Sequence, residues 1–170
     1  ITSHWTSLFF FIKVYEKGPD GYKKLEECLN FIENLFPKSE YVKKMRIRAA
    51  YEERYFDYAQ NEYNSIHKKS PFDIEGMDAY SNILFVKGCK NELGKLARDF
   101  TFYTKHRPET ALIAANYHSI SGNHEKAAKC FSRATNLNRN YIDAWILLGH
   151  EFIELKQLKK AMKAYLFCEH

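Results

Sequence analysis

Residues 140–168, NYIDAWILLGHEFIELKQLKKAMKAYLFC, decide the fold. Trp145, Leu148, Gly149 and Phe152 fall at i, i+3, i+4 and i+7, which places them on one face of a helix. After a short turn, Ala161, Tyr165 and Cys168 repeat that spacing on a second helix. Gly149 and Ala161 are small beside large neighbours, so two helices can approach closely there while the aromatic rings fill the gaps.

A Trp, then Leu-Gly, an aromatic, and then Ala and an aromatic on the next helix resembles the tetratricopeptide repeat (TPR). Such a unit cannot bury its own face, so neighbours are expected at a period of about 34 residues. Stepping back by that period takes Ala161 to Ala127, Leu93, Ala59 and Leu25. Tyr165 goes to Phe131, Ala97, Tyr63 and Leu29, and Gly149 goes to Ala115, Ser81, Ile47 and Lys13. Pro71 and Pro37 close two of the repeats, and Lys105 and Arg139 stand at that place in two others. The chain therefore reads as all-α: a single TPR array, an α-α superhelix of antiparallel helix pairs. The repeats run over about 6–39, 40–73, 74–107, 108–141 and a truncated 142–170, as the N-terminal fragment of a longer protein.

Composition agrees with that class. The 170 residues are 45% hydrophobic and 28% charged, with 7 Gly and 4 Pro, which suits a packed array rather than a disordered chain. The net charge of +5 is mild, and Lys pairs such as Lys43–Lys44 and Lys159–Lys160 are spread along the chain among Glu, so a solvated face is read rather than a nucleic-acid patch. Cys28, Cys89, Cys130 and Cys168 form no C-x-x-C pair, so a reducing, intracellular compartment is expected. The most apolar run, Leu8–Val14, is too short to span a membrane and contains Lys13. No Gly-rich phosphate loop, G-x-S-x-G or H-E-x-x-H occurs, and no catalytic, cofactor, metal or small-molecule site is assigned.

Candidate interaction residues follow from the register. On the first helix, Trp5 and Phe9 lie on the packing face, while Phe10, Phe11 and Val14 lie off it without an evident partner. Either upstream residues cover them or they form a protein–protein contact. In the TPR family the first helices of the pairs line a groove. By that resemblance Arg48, Asn82, Asn116 and His150 stand at one level, Tyr51 and Phe85 at another, and Leu112 at a third. Asn82 and Asn116 match one level of the carboxylate clamp of co-chaperone TPR domains. Ala79, Ile113 and Leu147 occupy the next level, and Glu109 and Asp143 stand where bases are required, so that reading is set aside.

A narrower resemblance comes from five runs: LFPKSEYVK at 35–43, MDAYSNILFVK at 77–87, KHRPET at 105–110, GNHEKAA at 122–128 and WILLGHEF at 145–152. They resemble the cell-division-cycle twenty-three family of anaphase-promoting complex subunits. Glu52-Glu53-Arg54 departs from a smoother repeat turn, and Gly88 and Gly94 read as loosening the third repeat. The resemblance implies a non-catalytic scaffold in a multi-subunit ubiquitin ligase of the cell cycle, found in nucleus and cytoplasm. It implies homodimerisation through the N-terminal repeats and contact with other subunits of the complex. On this reading the first helix docks near Tyr51, Phe85 and Leu112 of a second copy. The alternative is a monomeric TPR adaptor that binds a peptide of an unrelated partner.

Overall fold

A computed structural model describes residues 29–32, 34 and 39–168, and every residue it describes in regular structure is helical. Residues 29–32 and 34 are helical, and eight helices with defined ends follow among the described residues: α1 Glu40–Glu52, α2 Phe56–Lys69, α3 Met77–Val86, α4 Lys90–Tyr103, α5 Pro108–Ile120, α6 His124–Leu137, α7 Ile142–Glu154 and α8 Leu158–Leu166. Trp5, Phe9, Phe10, Phe11 and Val14 lie outside the described residues. The chain divides into two compact units, residues 1–62 and 63–170, with the boundary inside α2.

One turn is used four times. Arg54, Gly88, Gly122 and Lys156 all have positive φ (64°, 72°, 74° and 58°) and stand 34 residues apart. Each closes the loop between the helices of a pair. The next N–H bonds back across the turn: Tyr55 to the Ala50 carbonyl, Cys89 to Leu84, Asn123 to His118 and Gln157 to Phe152, all at 2.8–2.9 Å. The left-handed residue itself donates three positions back, to Tyr51, Phe85, Ser119 and Ile153 respectively. This is the Schellman arrangement, which satisfies carbonyls that a helix end otherwise leaves open. Gly88 and Gly122 adopt it freely, whereas a side chain at Arg54 and Lys156 makes it costly.

In the first unit, Leu29 and Ile32 pack with Val42, Ala49 and Met45. Lys43 pairs with Glu62 at 2.7 Å, and the Arg46 guanidinium donates to Asn30 Oδ1 at 2.8 Å. Ser39 sits at the N-cap of α1, but its side chain makes no capping bond.

In the second unit each helix packs on the next, and Ala127, Phe131, Ala134, Leu148 and Ala164 lie in one core. Small residues set how near the helices come. A methyl group at Gly149 would overlap the Tyr165 ring, and one at Gly94 would come within 2.9 Å of Tyr117 Cε2. Gly94 therefore seats Tyr117 rather than loosening its repeat. Trp145 stacks on Phe167 with ring centroids 4.6 Å apart, and its indole N–H donates to the Arg139 carbonyl. The link from α4 to α5 is tied by two threonines: Thr104 Oγ1 donates to the Phe100 carbonyl, and Thr110 Oγ1 donates to the Thr104 carbonyl. Pro108 opens α5, where its missing N–H costs nothing. The link before α3 is longer, and α3 starts at Met77 after Gly76, whose φ is +81°. Burial pushes the Tyr80 phenol, beside the Tyr63 ring, up to about 12.

Two outcomes follow from this packing. Lys156→Gly relieves a left-handed side chain in an exposed turn and should raise unfolding free energy by about 1 kcal/mol, measured by urea denaturation. The second concerns pH. His67 packs against Phe100, and burial holds its imidazole below its ordinary pKa; nearby Asp99 opposes that shift and Lys95 adds to it. Burial and Lys126 lower His118 as well. Below about pH 6.5 the unfolded chain takes up protons that the folded chain resists. The stability these neutral rings contribute is complete above that pH and declines as pH falls beneath it. The melting temperature should drop between about pH 7 and 5, and His67→Leu should flatten the slope.

Candidate protein-interaction face

The first helices of the pairs in the second unit, α3, α5 and α7, carry a chain of polar contacts whose spacings straddle the repeat period. Asn116 on α5 is fully buried, and its Nδ2 donates to Ser81 Oγ at 2.9 Å and to Asn82 Oδ1 at 2.7 Å, 35 and 34 residues away. The Ser81 hydroxyl donates in turn to the Asp78 carbonyl at 2.7 Å, so its oxygen is free to accept. Tyr141, just before α7, donates its phenol to Asp78 Oδ2 at 2.7 Å, across 63 residues. Burial first, and the Asp78 carboxylate next, raise the Tyr141 phenol far above its ordinary pKa, so it stays a donor.

A second cluster lies nearer the C-terminal ends of α5 and α7. Glu151 is buried, and Ser119 Oγ donates to its Oε1 at 2.6 Å while His124 Nδ1 meets its Oε2 at 2.9 Å. Both carboxylate oxygens therefore have a partner inside the fold. That satisfies a group which would be costly to bury alone. Ser, Glu and His here form no nucleophile-and-base arrangement, because the carboxylate sits between the other two rather than orienting the imidazole toward the hydroxyl. Among the described residues, no group of three or more His, Cys, Asp or Glu could hold a metal ion, and no helix is long and apolar enough to cross a membrane.

The residues singled out by register separate. Asn82 and Asn116 are brought together and bond each other, so the amide pair is spent on holding α3 to α5. Phe85 is half-buried on α3. His150 is exposed on α7 with its ring edge-on to Tyr165, and its neighbour Glu151 takes the inward place. Leu112 is a correction. It was expected to face a partner, but it is completely buried beside Ala111, Ala115 and Phe131. The reason is that α5 is enclosed on more than one face: Thr110, Ala111, Leu112 and Ile113 are buried in succession. Arg48 is exposed and Tyr51 is half-buried against Phe56 in the first unit. Sequence reasoning did not find the roles of Tyr141, Glu151 and His124. A polar residue inside an apolar helical stripe, as Glu151 is between Leu148 and Leu155, was the available signal.

Asn116→Ala removes the donor shared by Ser81 and Asn82, and should cost about 1–3 kcal/mol in denaturant titrations. Asn136→Ala, at an exposed site on α6, should cost less than about 0.5 kcal/mol in the same assay.

Comparison with known proteins joins this geometry to the sequence motifs. The tetratricopeptide repeat family model matches residues 109–141 and 142–166. "Anaphase-promoting complex subunit 8" of Arabidopsis thaliana is 34% identical over 156 residues, 92% of this chain and 27% of that protein. "Anaphase-promoting complex subunit CDC23" of Saccharomyces cerevisiae is 33% identical over 155 residues, 91% of this chain and 25% of that protein. The chain thus spans about a quarter of the length of these relatives. The crystal structure of the APC/C hetero-tetramer Cut9-Hcn1 superposes with a TM-score of 0.78 at 18% identity, over 85% of this chain and 28% of that one, which is a likeness of fold. By fold and by sequence, the chain is a tetratricopeptide-repeat array homologous to the subunit 8, or CDC23, proteins of the anaphase-promoting complex.

Proposed function

We propose that this chain is a non-catalytic scaffold segment of the anaphase-promoting complex, the multi-subunit ubiquitin ligase of the cell cycle, working in nucleus and cytoplasm. The observation that carries the reading is 34% identity to a subunit 8 protein across 92% of the chain. A TPR array supports it physically, because stacked helix pairs present long surfaces to other polypeptides and contain no convergent acid, base and nucleophile. Purification of a tagged full-length protein containing this segment should recover other subunits of the ligase, and loss of the segment should release it from them.

The finer part of the proposal is self-association through the N-terminal repeats. It is supported by the sequence of residues 5–14, where Phe10, Phe11 and Val14 add apolar surface beyond one packing stripe. A two-fold arrangement would bury that surface twice in one interface. Light scattering of the 170-residue chain should give a mass about twice 20.1 kDa that persists on dilution. The double substitution Phe10→Asp with Phe11→Asp should give the monomer mass. A monomer without substitution would discard self-association, and recovery of the ligase would still decide the scaffold role separately.

A further inference from the structure

The formal charge of the chain is +5, and its cations look dispersed in the sequence. Their net excess is not dispersed in the fold. Helices α6 and α8 together carry six cations (Lys126, Lys129, Arg133, Lys159, Lys160, Lys163) against one carboxylate, Glu125. That net +5 equals the charge of the whole chain, so everything outside these two helices is balanced.

Between α6 and α8 lies a hollow of about 550 Å³, floored by the end of α7. Its walls carry three cations, Lys129, Arg133 and Lys160, against one carboxylate, Glu125, and its apolar lining includes Leu137, Phe152 and Leu155. Leu137 is 45% exposed, and Phe152 and Leu155 are half-buried. The Arg133 guanidinium is steadied by donation to the Lys105 carbonyl at 2.9 Å. Lys160 Nζ stands 5.6 Å from the centre of the Phe152 ring. None of the three cations has a carboxylate within ion-pair distance among the described residues. A concave, partly apolar wall strengthens the field of such charges and concentrates anions in front of it.

We propose that this furrow binds an acidic polypeptide segment that anchors one or two apolar side chains on Phe152, Leu155 and Leu137. Charge complementarity selects the acidic class, and the floor selects apolar anchors. The furrow does not suit a single-stranded nucleic acid. Such ligands stack bases on open aromatic faces, and the face of the one ring in the floor is taken by Lys160. Neither α6 nor α8 contributes a residue to the proposed self-association, so the two proposals fail independently.

The test uses the 170-residue chain and a fluorescein-labelled peptide of about sixteen residues, with Leu and Phe at helical spacing among Asp and Glu. One control peptide replaces the acids by Gln, and another replaces the apolar residues by Ser. The parent peptide should bind about ten-fold tighter than either control, and more weakly as salt is raised. Lys129→Glu with Lys160→Glu should cost about ten-fold in affinity without a change in melting temperature, because both side chains are exposed. Leu137→Ser should weaken binding without changing its salt dependence. The proposal is overturned if a control peptide binds as well as the parent, or if the double charge reversal leaves affinity unchanged. It is also overturned if a single-stranded oligonucleotide of equal charge binds more tightly and depends on the same lysines.

Discussion

Among the described residues each of four helix pairs is closed by one residue with positive φ, and the other features of the array follow from that turn. It reverses the chain within three residues, so the helices of a pair must run antiparallel and side by side. Once they do, their separation is decided by whichever side chain stands between them. At Gly149 there is none, and Tyr165 of the same pair lies directly against backbone; Gly94 seats Tyr117 in the same way between one pair and the next. Part of the aromatic abundance of the sequence goes to these seats and to ring contacts such as Trp145 on Phe167 and His67 on Phe100, while Phe72, Phe102 and Phe167 stay exposed. The cost of holding a left-handed side chain at Arg54 and Lys156 shows how strongly the turn is required: the geometry is kept even where glycine is not.

Apolar packing alone leaves the register between successive pairs loosely specified, because one greasy stripe can slide along another. Directional bonds remove that freedom. Asn116 reaches two acceptors one repeat back, and Glu151 accepts from α5 and from the start of α6. A shift of either helix by one residue would strand a buried amide or carboxylate, which costs more than the bonds themselves contribute. The same residues that resemble ligand-binding groups of other TPR domains are thereby committed to the fold.

The fold was legible in the sequence because its signal repeats. Trp145, Leu148, Gly149 and Phe152 state the pattern once, and stepping back 34 residues lands on buried positions: Ala127, Leu93 and Ala59 in one row, Phe131, Ala97 and Tyr63 in another. The candidate site was less legible. Register assigns a residue to a level but not to an exposure, so Leu112 was read as surface although α5 is covered on several faces. One residue of helix rotation separates His150 from Glu151, and only packing decides which of them turns inward. Tyr141 and Asp78 lie 63 residues apart, close to but not at two periods, so no repeat arithmetic links them. The basic face is not legible in the sequence, because α7 separates α6 from α8 along the chain and the acids that offset their charge sit on other helices.

The hydrogen bond between Tyr141 and Asp78 has a mechanical meaning. In an array where each pair touches only its neighbours, loosening at one end is damped within a repeat, and the chain peels pair by pair. This bond joins the entry of α7 to α3 and skips the pair between them. Strain applied at the last pair is therefore delivered two repeats inward, so residues 77–154 resist peeling as a block and yield together when they yield.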